Sequence, residues 1–248
     1  MKKNILLFLA ALLLTMQGGA QTINVHKTDG SVVEYQSNEV DFIDFAPTSN
    51  MLPDDLEAVD LGLPSGVKWA NMNLGASKPE DYGLYFAWGE TVGYGPSDGH
   101  SFDKQTYKWW DVVDNKMIKY GKEYDKWKLD LEDDAAHVLW GGNWEMPTYS
   151  EMNELLKYTT HELTSQNSVY GYKFTSKKNG KSIFLPTADI RVELEYGAAA
   201  FDFGVYFTST LSPTEWSDPY SLQLYDKDFI IVDSGSNWVG CSIRPIKR

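Results

Sequence analysis

Cys241 is the only cysteine in 248 residues, so no internal disulfide can form and no second thiol stands beside it. It falls in an expected terminal strand, where a small buried apolar residue is the plainer reading. No Gly-x-Ser-x-Gly elbow is present, which leaves nucleophilic catalysis without an obvious group to start from. The four histidines, His26, His100, His137 and His161, are scattered, with neither His-Glu-x-x-His nor the Cys/His spacing of a zinc site. Asp133 lies four residues before His137 on an expected helix, the spacing of a surface carboxylate–imidazole pair. Asp133 and Asp134 could also offer calcium the hard oxygen ligands it prefers. Favourable charge at a helix N-terminus is the competing explanation, and no EF-hand spacing occurs. With 35 acidic residues, many carboxylate pairs could serve glycoside hydrolysis, and none is singled out.

The aromatic residues form a stronger pattern: nine Trp, 15 Tyr and 11 Phe. Trp109, Trp110 and Trp127 fall in a long, polar, lysine-bearing stretch, residues 93–128, and a loop of that length is usually functional or an insertion. Trp216, Tyr220 and Trp238 fall in expected turns among the later strands. Flat rings beside polar groups suit a sugar or a protein surface, so these residues are the candidate ligand contacts. Core packing beneath long loops is the alternative.

Those residues need a frame. Met1–Ala20 reads as a signal peptide: Lys2 and Lys3 first, an apolar run over Ile5–Leu14, then small Gly18 and Ala20. The run is shorter than the roughly 20 residues a membrane span requires. With no Cys at the cleavage point, the exported chain is expected to carry no lipid and to lie in the periplasm, on the outer surface or outside the cell. The formal charge of −13 disfavours nucleic acid and anionic membranes as partners. Residues 21–46 alternate around Asp29-Gly30 as a short hairpin unit, and residues 47–56 read as a linker.

In the main body, residues 57–248, a helix is expected over Leu131–Trp140, ended by Gly141-Gly142. A second follows Pro147, where Thr148 and Glu151 make a capping box ahead of Met152, Leu155 and Leu156. Beyond Tyr170 the pattern is strand-like. Asn179-Gly180 turns one hairpin, and further strands are expected near residues 201–207, 222–225, 229–232 and 239–243. Helices first and strands after indicate α+β with a mostly antiparallel sheet. Arg244, at the end of the last strand, would need a carboxylate partner if buried.

Several segments, in order, resemble one family: VDLGLPSGVKWA (59–70), YGLYFAWGE (82–90), LEDDAAHVLWGGNWEMPTYSEMNELL (131–156), GYKFTSKKNGKSIFLPTA (171–188) and VGCSIRPI (239–246). Together they resemble the Fibrobacter succinogenes major paralogous domain of exported bacterial proteins, from about Ala58 onward. The resemblance implies a C-type-lectin-like fold, shared with formylglycine-generating enzymes: two helices on small twisted antiparallel sheets, with the chain ends brought together. It also implies differences. Glu145 stands where the family usually has a basic residue, and Tyr206–Thr210 replaces a Trp-Ser-Ser run. The cysteine pair of the formylglycine-generating relatives is missing, as are the sugar-holding loop motifs of calcium-dependent lectins.

The leading expectation is a non-enzymatic, secreted or surface-associated binding module for a glycan or a protein, with no cofactor beyond the candidate calcium. An exported carbohydrate-active or modifying enzyme using acidic residues is the first alternative. A structural component of the cell surface, assembling through residues 22–45, is the second.

Overall fold

The computed structural model describes residues 22–26, 31–36, 52–192, 195–196, 203–213, 218–225 and 230–248. The expected signal segment, the turn at Asp29-Gly30, most of the expected linker and Trp216 lie outside the described residues. The chain divides into two units between Phe45 and Ala46. In the first, β1 (Thr22–His26) and β2 (Val32–Gln36) pair antiparallel, with Thr22 opposite Gln36. This is the hairpin that the alternation predicts.

Among its described residues the second unit is α+β, with two α-helices and several small sheets whose strands pair antiparallel. It opens with β3 (Ala58–Val59) and β4 (Lys68–Ala70). A small hairpin, β5 (Trp110–Asp111) and β6 (Lys116–Met117), lies within the long insertion. Then come α1 (Ala135–Trp140), β7 (Trp144–Glu145) and α2 (Tyr149–Tyr158). A meander follows: β8 (Thr159–Gln166), β9 (Val169–Ser176) and β10 (Ser182–Pro186). The short pair β11 (Arg191–Val192) and β12 (Glu195–Tyr196) precedes a second meander of β13 (Gly204–Leu211), β14 (Pro219–Leu224) and β15 (Ile230–Ser234). The last strand, β16 (Ile246–Lys247), inserts between β4 and β7, giving the sheet order β3-β4-β16-β7. No helix among the described residues is long and apolar enough to cross a membrane.

The two helices differ in how well their sequences announce them. At α2 the Thr148 side chain accepts from the Glu151 N–H, and the Glu151 carboxylate accepts from the Thr148 N–H at 2.8 Å, the reciprocal cap expected. The helix expected over residues 131–140 is interrupted. Leu131–Asp133 is a 3₁₀ turn, and Asp134, with extended backbone, caps the shorter α1 by accepting from the His137 N–H. An aspartate whose carboxylate reaches the backbone ahead of it starts a helix; it does not continue one.

Two apolar cores share β13. Val205, Phe207 and Leu211 point into one, beside Phe86, Trp88, Tyr120 and Trp144. Tyr206 points into the other, beside Trp69, Leu155, Phe174 and Leu222. A strand's period of two divides its side chains between the two sides.

Arg244 is wholly buried, and no carboxylate among the described residues meets it, contrary to expectation. Its Nε donates to Asn73 Oδ1 at 2.9 Å, and its two terminal nitrogens donate to the carbonyls of Ala70 (3.1 Å) and Phe184 (2.8 Å). Burial pushes its pKa down to about 10, which still leaves it charged at neutral pH. Three neutral acceptors arranged around the planar fork do what one carboxylate was expected to do.

Candidate functional site

The site is organised by an irregularity in β13. Register with β14 runs normally to Phe207 opposite Ser221, then resumes only at Leu211 opposite Pro219. The extra residues leave the β13–β14 ladder, although Thr208 and Ser209 stay fully buried, and a bulge frees backbone groups for other partners. Trp88 Nε1 donates to the Thr208 carbonyl at 2.8 Å, and the Leu129 N–H to the Ser209 carbonyl at 2.9 Å. The Ser209 N–H donates to the Pro147 carbonyl, and the Leu211 N–H to the Trp127 carbonyl, both at 2.8 Å. Thr208-Ser209-Thr210 therefore ties the end of the insertion and the start of α2 to one point.

Within the insertion, Trp109 donates from Nε1 to the Gly89 carbonyl at 2.9 Å and meets Tyr120 edge-on, with ring centroids 5.7 Å apart. Lys108 and Lys119 hold their ammonium groups 4.1 and 5.1 Å from its ring centre. Trp110 lies opposite Met117 in the β5–β6 hairpin, with the Lys104 ammonium 3.8 Å from its ring centre. Cation–π contacts at partly exposed sites such as these contribute about 0.5–1 kcal/mol each, and each covers one face of its ring. Trp127 donates from Nε1 to Asp125 at 3.1 Å.

The later strands reach the same region. Asn237, buried next to half-buried Trp238, donates from Nδ2 to Met117 Sδ at 3.3 Å, and its carbonyl accepts from the Trp88 N–H at 2.9 Å. The turn carrying Trp238 is thus fastened to the strand that pairs with Trp110. Tyr220 stacks at a tilt on Tyr149, centroids 4.0 Å apart, at the start of α2. Trp109, Trp110, Trp127, Tyr220 and Trp238 are all half-buried.

Asp133 and Asp134 turn to different partners. The Asp134 carboxylate accepts from the N–H groups of His137 (3.0 Å) and Met146 (2.8 Å), and burial raises its pKa from 3.8 to about 6 against the pull of those donors. Asp133 does not pair with His137. It takes the Lys119 ammonium at 2.6 Å, the Tyr120 hydroxyl, and Lys108 at 3.3 Å. Burial would raise its pKa, but Lys119 and Tyr120 hold it below the ordinary carboxylate value. Oxygens of Asp130, Glu132 and Asp133 lie within 4.8 Å of one another. Lys119 stands among them, 3.2, 2.6 and 2.6 Å away, in the position a calcium ion would need.

No family model, curated protein or solved structure matches this chain.

Two carboxylates that the sequence does not single out adjoin the aromatic residues. Glu90 accepts from the Lys108 N–H at 2.9 Å, and burial holds its pKa above the ordinary value. Burial does the same to Asp218, partly offset by the charge of Lys104. Burial, then Glu90, Asp133 and Asp218, also keep the Tyr107 phenol neutral, its hydroxyl donating to the Trp88 carbonyl at 2.7 Å. Nothing in residue type or spacing marks Glu90 or Asp218 among 35 acids. Their partners come from residues 104–108, which only the folded insertion brings near.

Proposed function

We propose that this chain is an exported, non-enzymatic binding module on a C-type-lectin-like scaffold, contacting a glycan or a protein surface through its insertion and its last two long strands. The carrying observation is the anchoring of that insertion. Residues 127–129 are bonded to the β13 bulge, and Met117 to Asn237, so Trp110 and Trp238 are held half-exposed on a fixed frame. Pre-ordered contacts lower the entropic cost of binding. Beyond Trp110, Val112 and Val113 stand 56 % and 92 % exposed at the hairpin tip, apolar surface with no use inside the domain. The union of the first and last strands in β3-β4-β16-β7 supports the lectin-like scaffold.

The test is a thermal-melt screen against glycans and candidate surface proteins, with and without calcium chelator. A ligand at one hundred times its dissociation constant adds about 2.7 kcal/mol of stability to the folded state. The expected result is a rise in melting temperature that Trp110→Ala and Trp238→Ala abolish. A rise that both variants retain would move the site elsewhere.

The raised pKa values of Glu90 and Asp218 favour, as a second reading, an enzyme that uses carboxylic acids on polysaccharides. Turnover lost in Glu90→Gln or Asp218→Asn would establish it.

A further inference from the structure

The lysines of this chain fall into two groups. Several in the insertion are matched by carboxylates: Lys108 and Lys119 by Asp133, Lys116 by Asp114, Lys126 by Asp130, Lys128 by Glu145. Lys157, at the end of α2, and Lys177, Lys178 and Lys181, around the β9–β10 turn, are exposed. Among the described residues none of these four forms an ion pair with a carboxylate.

Two of the four border a cavity of about 270 Å³, which lies between the 61–64 loop, Tyr158 and the Lys177–Lys178 pair. Its wall is partly apolar: Leu61 and Leu63 are buried there, and Tyr158 keeps 38 % of its surface open. The Lys157 ammonium stands 5.4 Å from the Tyr158 ring centre, which brings a third cation to the rim.

The walls are held in place. The buried Ser176 hydroxyl donates to the Leu61 carbonyl at 2.6 Å and accepts from the N–H groups of Lys178 (3.1 Å) and Asn179 (3.2 Å). Asn179 Nδ2 donates to the Asp60 carbonyl at 2.9 Å, a second strap from the turn to the loop. The Lys177 N–H donates to the Tyr158 carbonyl, and its ammonium to the Lys157 carbonyl at 2.8 Å. The two acids beside the loop serve its backbone: Asp60 accepts from the Gly62 N–H at 2.7 Å, and Glu154 from the Ser65 N–H at 3.1 Å.

We propose that this cavity is a second binding site, for the carboxylated ring of an acidic sugar in a polysaccharide. The charge selects an anion. A chain of net charge −13 repels anions over most of its surface, so a cluster of unneutralised ammonium groups is where one settles. The shape selects a ring. The cavity is just below the roughly 300–1,000 Å³ of drug-sized pockets, so it suits one compact body, and its apolar wall needs C–H surface to cover it. A uronic acid residue carries both features, a pyranose with a C–H face and a carboxylate on its edge. The acidic side chain of a peptide brings the charge without the ring. The site shares no residue with the tryptophan-bearing surface and does not depend on it.

The experiment is calorimetric titration, in chelator, with a galacturonate oligomer, its methyl ester and a glutamate peptide. The oligomer is expected to bind, with an affinity that falls as salt is added. The ester keeps the ring, lacks the charge, and binds at least tenfold more weakly; the peptide does the same for the opposite reason. Lys177→Gln with Lys178→Gln weakens the oligomer tenfold or more, and Tyr158→Ala several-fold, with melting curves reporting that each variant is folded. Trp110→Ala and Trp238→Ala leave its affinity unchanged. No binding of the oligomer overturns the proposal, as does an ester or a peptide that binds equally well. Affinity retained in the double lysine variant, or lost in the tryptophan variants, overturns it too, the last by placing the anion on the other surface.

Discussion

Arg244 donates from Nε to Asn73 Oδ1 at 2.9 Å, and both residues are completely shielded from solvent. Asn73 in turn donates to the Tyr82 carbonyl at 2.9 Å and to the Tyr206 hydroxyl at 3.3 Å, so one amide joins the buried cation to both a loop and β13.

Arg244→Met keeps the bulk and strands the three acceptors. Each orphaned buried group costs about 1–3 kcal/mol, so the variant is expected to lose several kcal/mol or fail to fold. Arg244→Lys recovers only part of the loss, because an ammonium cannot span the three acceptors as the guanidinium does. Urea unfolding of the parent and both variants measures this, and equal midpoints would contradict it.

Asp134 should weaken the fold as pH rises. Its folded pKa of about 6 lies above the ordinary 3.8, so between these values the folded state keeps a proton that the unfolded state has released. Stability from this group falls across that window and is level above it, a difference of about 3 kcal/mol at the conversion of one pKa unit to 1.36 kcal/mol. Asp134→Asn keeps a side-chain oxygen for the His137 N–H and removes the titration. Its melting temperature is expected to exceed the parent's at pH 7, with the two converging below pH 4.

The opposite sign holds at Glu151. Burial pushes its pKa up, but Arg248, bonded at 2.7 Å, and the Thr148 N–H hold it below the ordinary value. The contribution is therefore complete above the unfolded pKa and disappears as pH falls through the lowered folded one. Arg248→Ala is expected to cost about 1 kcal/mol at neutral pH, since the guanidinium is partly exposed. The gap should close in acid, which melts recorded across pH would reveal. Arg248 also pairs with Glu145 at 2.8 Å, which gives the acidic residue at that position a structural role.

Lys119→Met removes the ammonium from among Asp130, Glu132 and Asp133. Like charges are then left together, and the variant is expected to melt lower in chelator and recover about 1–2 kcal/mol in calcium by preferential binding to the folded state. The parent, its site filled by lysine, should show no such response. A calcium response in the parent equal to the variant's would show that Lys119 does not block the site.

What the sequence disclosed depended on local signals. The Thr148–Glu151 box and the Asn179-Gly180 turn are complete within a few residues, and both elements form where they predict. Strand β8 escaped notice because TTHELTSQ is polar on both faces and shows no alternation; it is a strand because β9 provides its partner. Its turn, Asn167-Ser168, places serine at positive φ, a weaker signal than Asn-Gly. The break before α1 was hidden because Asp134 suits a helix's first turn and its N-cap equally well. Arg244 satisfied by carbonyls, and Glu90 and Asp218 beside the tryptophans, rest on contacts across more than 100 residues in several cases and have no local trace.

Sheet β3-β4-β16-β7 has a temporal consequence. Ile246 pairs with Trp69 and with Glu145, and Arg244 supplies the donors that Asn73, Ala70 and Phe184 require. Until residues 244–247 are in place, β4 and β7 lack the strand between them and those acceptors stay wet. Such long-range closure is slow and comes last. The sheet's strands β4, β16 and β7 come from segments about 100 to 180 residues apart in the chain, and non-local pairing of this kind slows folding.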